Sequence, residues 1–170
     1  VIRFELPSTP YLPGSGTEPD RSALEPLKAL CPARVTDENW TGNIAYLAGL
    51  ELYQAGYFWE AHEVLEPFWM SCAPNSRERH LVAGLIQLAN TCLKLRMCRP
   101  RAASRLSEMV IDHLAEASSG GGPILMGLDC KGLLEETRAW RSRMPAAVTA
   151  RLPAGQLLAH RPVLELVEYR

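Results

Sequence analysis

The sequence predicts an all-α fold: a single-domain antiparallel helical bundle of five or six helices, with extended Pro-rich N-terminal and C-terminal arms. Three observations carry this. Between positions 37 and 144, apolar residues recur three and four apart, the spacing of one helical face. Gly56, Pro74, Pro100, the run Gly120-Gly121-Gly122-Pro123 and Pro145 cut that region at helical lengths. Pro7, Pro10, Pro13 and Pro19, with Gly14 and Gly16, prevent the opening stretch from propagating a helix or a central strand. One domain therefore spans residues 1–170, with an arm over 1–21, a helical core over 37–144 and a second arm over 145–170.

The elements follow in order. Phe4, Leu6, Tyr11 and Leu12 give the first arm apolar side chains with which to dock. A short helix is expected around Ser22 to Leu30, ended by Cys31-Pro32. Thr36 or Asp37 caps a helix to about Ala55, where Gly56 supplies the left-handed residue that stops it. Tyr57 restarts the chain as a helix to about Ser71, an αα-hairpin with the first. Ser76 caps a long helix from Arg77 to Met97, and another runs from Arg101 to Ser118. A final helix spans about Asp129 to Met144. The segments Arg3–Leu6 and Arg161–Val167 alternate like short strands and are candidates to pair with each other.

Composition narrows the function classes. The 170 residues carry 18 Lys+Arg against 19 Asp+Glu, with 47% apolar residues, which suits a packed globular chain and argues against global disorder. A net charge of −1 argues against nucleic acid as a partner and against a polybasic membrane protein. No uncharged apolar run is long enough to span a bilayer, and Val1–Pro7 lacks a signal-peptide pattern, so a cytoplasmic location is expected. The five cysteines form no C-x-x-C pair; Cys92 and Cys98 read as small buried hydrophobes.

The helix after Tyr57 carries two stripes. Phe58, Ala61, Leu65, Phe68 and Cys72 form a core face. Beside it lie Trp59, His62, Glu63, Glu66 and Met70, with Trp69 at the boundary and Glu60 on the opposite, solvated side. Gln87, Asn90 and Lys94 draw a polar line along the third helix, and Glu51 falls among Ile44, Leu47 and Ala48. Polar groups on faces that pack need partners. Glu51, His62, Glu63, Glu66, Gln87 and Lys94 are therefore expected to meet in one cluster. Pro67 releases the carbonyl of Glu63 beside it.

His62-Glu63-Val64-Leu65-Glu66 has the form H-E-x-x-E, one residue from the zincin H-E-x-x-H. His62 and Glu66 can chelate a divalent metal at i, i+4, with Glu51 as third ligand and Glu63, assisted by His62, as the catalytic base. The di-iron template fails, because Trp59 stands where it needs a carboxylate. A metal-free acid/base site and a purely structural polar network use the same residues. His80, His113 and His160 have no comparable company.

Charge is segregated. From Val35 to Ser76 there is no Lys or Arg but there are six carboxylates, whereas Arg77, Arg79, Lys94, Arg96, Arg99, Arg101 and Arg105 follow against Glu78 alone. Arg96, Arg99, Arg101 and Arg105 form a candidate anion patch. The favoured reading is complementarity with the acidic hairpin, within the chain or across a homodimer.

The stretch Tyr46–Trp69, with Glu51, Gln54-Ala55-Gly56, Trp59-Glu60-Ala61-His62-Glu63, Glu66 and Trp69, resembles the bacterial and archaeal domain-of-unknown-function family 309, and Gly84-Leu85-Ile86-Gln87-Leu88-Ala89 supplies the second half of its pattern. The similarity covers about Ile44 to Arg105, and Tyr11-Leu12-Pro13-Gly14 looks like the arm of proteobacterial members. It departs mainly at Asn90-Thr91-Cys92, where relatives are Ala-rich. The resemblance implies a compact helical fold without an established activity, and its motif falls on Glu51, His62, Glu63, Glu66, Trp69 and Gln87.

Two functional readings result. One is a non-catalytic binding or self-association module, a homodimer that buries Trp40, Trp59 and Trp140 and holds a small ligand through Glu51, Glu66, Trp69, Gln87 and Lys94. The alternative is a metal-dependent or acid/base hydrolase using the H-E-x-x-E helix.

Overall fold

The computed structural model describes residues 5–144 and 154–167, and it is mostly helical. Its helices are α1 (Glu25–Lys28), α2 (Ile44–Gln54), α3 (Phe58–Ser71), α4 (Arg77–Arg96), α5 (Pro100–Ser118), α6 (Cys130–Arg141) and α7 (Ala154–Ala159), with a 3-10 turn at Trp40–Gly42. The four central helices pack in sequence, α2 on α3, α3 on α4 and α4 on α5, with α6 against α5. Short connections between apolar-striped helices force that neighbour order. The start of α4 lies beside the end of α5: Arg77 donates to the Ala117 carbonyl, and a Cβ at Gly84 would touch Leu114 at 3.3 Å.

Local chemistry accounts for the boundaries. Ser76 Oγ accepts the Arg79 N–H and caps α4, and Asp129 accepts from Gly132 at the head of α6. Gly56, at φ 86°, ends α2 as expected. The start of α2 lies later than the sequence reading placed it. Asn43 caps it by accepting from the Tyr46 N–H, while Asp37 accepts from the Met126 N–H at 2.5 Å. A distant backbone donor thus took the residue that sequence alone assigned to a helix cap.

The core runs along the expected stripes. Tyr46 stacks on Phe68 at 5.2 Å between ring centroids, and Leu52, Leu65, Leu81, Leu88 and Leu95 are fully buried. Trp40 and Trp140 are buried inside the chain, and Trp59 packs against the core, so these aromatics need no dimer to cover them. Cys72, Cys92 and Cys130 are buried, and burial pushes the Cys72 and Cys92 thiols up to about 12. Cys98, by contrast, is exposed at a positive φ in the α4–α5 turn.

Two features were not legible in advance. Ile124–Leu125 and Leu128–Asp129 form an antiparallel hairpin, β1–β2, around Met126 and Gly127. Both loop residues have positive φ, as a two-residue hairpin loop of the I′ kind requires. The second arm contains α7, and residues 161–167 run as irregular chain instead of a strand. Side chains of the core hold that segment: Tyr53 donates to the Pro162 carbonyl, Gln54 to that of Leu164, and Trp140 Nε1 to that of Leu157. The proposed pairing of the chain ends falls partly on residues 1–4, outside the described residues.

Candidate functional site

The motif helix α3 is covered by the chain's own first arm. Tyr57 donates to the Pro7 carbonyl at 2.9 Å, and the Tyr11 ring meets Trp59 edge-on at 4.8 Å. Arg21 lies over the Trp59 ring at 5.6 Å. Glu63 faces two cations, Lys28 at 3.6 Å and Arg21 at 3.8 Å. Leu24 and Leu27 then anchor this segment in the core. Prolines suit such a strap, because an extended segment with few free N–H groups docks without needing a ladder partner. Sequence reasoning missed Arg21 and Lys28, although they are cations just ahead of the acidic stretch.

Glu60 is the principal correction. Expected on the solvated side of the helix, it is 2% exposed. Its Oε1 accepts the Tyr11 N–H at 2.7 Å, and its buried Oε2 has no hydrogen-bond partner. The signal was present: Glu60 stands four and eight residues before Val64 and Phe68, both buried. Burial pushes the Glu60 carboxyl above 4.5, opposed by the Tyr11 N–H and by the charge of Arg96. The sign of the linkage follows. Stability contributed by Glu60 is full below pH about 4.5 and is lost as pH rises through the raised folded value. Glu60→Gln keeps the acceptor for Tyr11 and removes the buried charge. It is therefore expected to gain stability over the wild type between pH 4.5 and 7.5. Urea melts of both proteins at those two pH values check this; a gap that does not widen with pH contradicts it.

The remaining sequence-predicted residues differ in exposure. Glu51 and Glu66 are exposed, whereas His62, Trp69, Gln87, Asn90 and Lys94 are half-buried. Glu51 borders a groove lined by Leu47, Leu50, Gln54, Leu164 and Leu166. Among the described residues no three His, Cys, Asp or Glu side chains are grouped to hold a metal ion, so His62, Glu66 and Glu51 are not gathered as a ligand set. Trp69 carries Arg79 over its ring at 4.0 Å, and the Gln87 carbonyl accepts from Thr91.

The basic residues of α4 act mainly on carbonyls at helix ends. Arg79 donates to Trp69 and Cys72 at the end of α3, and Arg77 to Ala117 and Gly122 after α5. Arg96 donates to Gly56 after α2 and lies over the Phe58 ring at 4.5 Å. Cations there satisfy orphan carbonyls and the negative end of the helix dipole. Arg96 is thereby drawn out of the candidate anion patch, while Arg99, Arg101 and Arg105 stay exposed.

These contacts define a helical protein whose acidic motif helix is strapped by its own proline-containing arm. Residues 46–106 match the family model described as Domain of unknown function (DUF309). The match takes in nearly all of α2, the whole of α3 and α4, and the start of α5. No curated protein and no solved structure matches the chain. No described helix is long and apolar enough to cross a membrane.

Proposed function

We propose that this chain is a non-catalytic binding module that self-associates through its segregated charge. The observation that carries the reading is the pairing of Glu63 with Arg21 and Lys28 of the same chain. A carboxylate engaged by two cations serves to dock the arm and is poorly placed to activate water. The carboxylates left outward, Glu51 and Glu66, lie in a stretch without Lys or Arg, and the exposed Arg99, Arg101 and Arg105 of a second copy complement them.

Sedimentation at low and high salt tests the self-association. A dimer that dissociates as salt rises is expected, because exposed charges are screened. Glu51→Lys with Glu66→Lys weakens it, and Arg99→Glu with Arg101→Glu in the second copy restores it. A monomer at every salt concentration overturns the reading. Glu63→Gln is expected to cost about 1 kcal/mol in thermal melts, as for partly exposed ion pairs, while tryptic cleavage at Arg21 accelerates. Elemental analysis separates this from the hydrolase reading. Metal lost on His62→Ala favours the hydrolase.

A further inference from the structure

His80 and His113, set aside in the sequence for want of company, face each other across α4 and α5. Their ring centroids are 5.8 Å apart and their planes are inclined by 42°. Both side chains are half-buried. The close approach comes from Gly84, one turn after His80, where a Cβ would lie 3.5 Å from the His113 Cβ.

We propose that His80 and His113 form a two-histidine site for a borderline divalent transition ion such as Zn²⁺, clipping the start of α4 to the end of α5. The spacing fits such an ion. An imidazole nitrogen binds zinc at about 2.0–2.1 Å, which puts each ring centre about 3.2 Å from the metal. Two rings sharing one ion then have centres about 5.2 Å apart at a tetrahedral angle and about 6.4 Å apart when opposed. The observed 5.8 Å falls between these limits, so the helices need not move. Each ring turns on a broad torsion, which lets it present a nitrogen to the ion. Water fills the remaining positions. Imidazole ligands select Zn²⁺, Ni²⁺ or Cu²⁺ over Mg²⁺ and Ca²⁺, which prefer oxygen.

Neighbouring charge is compatible with this. Burial, together with His80, holds His113 below the ordinary histidine range, and Asp112 opposes that shift. Arg77, one turn before His80, directs its guanidinium to the Ala117 and Gly122 carbonyls at 2.8 and 2.7 Å.

Calorimetric titration of the chelator-treated full chain with Zn²⁺ at pH 7.5 tests the proposal. A Cys98→Ser background removes the exposed thiol as a competing ligand. One equivalent of Zn²⁺ is expected to bind and Mg²⁺ is not. His80→Gln and His113→Gln each weaken binding at least about tenfold, while His62→Ala leaves it unchanged. No Zn²⁺ binding, or unchanged affinity in both glutamine variants, overturns the site. If circular dichroism finds either variant unfolded, imidazole ¹⁵N spectra of the unmutated protein decide. Zn²⁺ must shift the ring signals of His80 and His113; shifts confined to His62 or His160 overturn the proposal. The His62 arm also keeps this result separable from the one that tests the motif helix.

Discussion

Trp140→Ala is expected to lower stability by about 3–5 kcal/mol, the range for emptying a buried aromatic site. Trp140 is 2% exposed, and its Nε1–H donates to the Leu157 carbonyl at 2.7 Å. Truncation therefore opens a cavity under α6, strips that carbonyl of its donor and releases α7. Trp140→Phe separates the effects, because it keeps most of the ring and loses the hydrogen bond, worth about 1 kcal/mol. Urea melts give the totals. Hydrogen exchange over residues 154–160 is expected to accelerate in both variants, and more in the alanine one. An alanine variant that loses less than about 1 kcal/mol would contradict this account of how the second arm is held.

Gly127→Ala is expected to cost about 3 kcal/mol. A left-handed backbone costs an L-residue about 1–2 kcal/mol, and crowding a packed site adds about 1–3. At φ 75°, a Cβ on Gly127 would lie 2.3 Å from the buried Trp40 ring and 3.0 Å from Leu166. The Gly127 carbonyl also accepts the Val167 N–H, so displacement of the hairpin loosens the end of the described chain. Gly120→Ala is the control: its φ is 70°, but nothing lies within 4 Å of the new Cβ, so only the backbone cost remains. Equal losses at the two glycines would show that the contact with Trp40 carries no weight.

Helix positions were legible because periodicity and caps are local. Ser76, Gly56 and Asp129 act within four residues, so the elements from α3 to α6 stand where these residues put them. Asp37 was misread because its partner, the Met126 N–H, lies 89 positions away. Glu60 was misread for a different reason. A carboxylate was assumed to seek water, although its helical phase with Val64 and Phe68 placed it inside, where the arm supplies an N–H.

The candidate site divides in the same way. Sequence located the acidic motif helix and the segregation of charge around it. It assigned the acids a metal or one another as partners, and it sought the balancing cations in α4 and α5. The fold instead sets Arg21 and Lys28 against Glu63, while Arg77, Arg79 and Arg96 serve helix ends.

By itself, then, the sequence determined the helices from α2 to α6, their order, most of the buried stripes and the helix that carries the motif. All of these follow from spacings of three or four residues and from capping groups beside them. Tertiary structure alone decided which charges meet, that the arm covers α3, and that two histidines 33 positions apart share a face. Such meetings depend on where distant segments come to rest against a common core, and no local period encodes that.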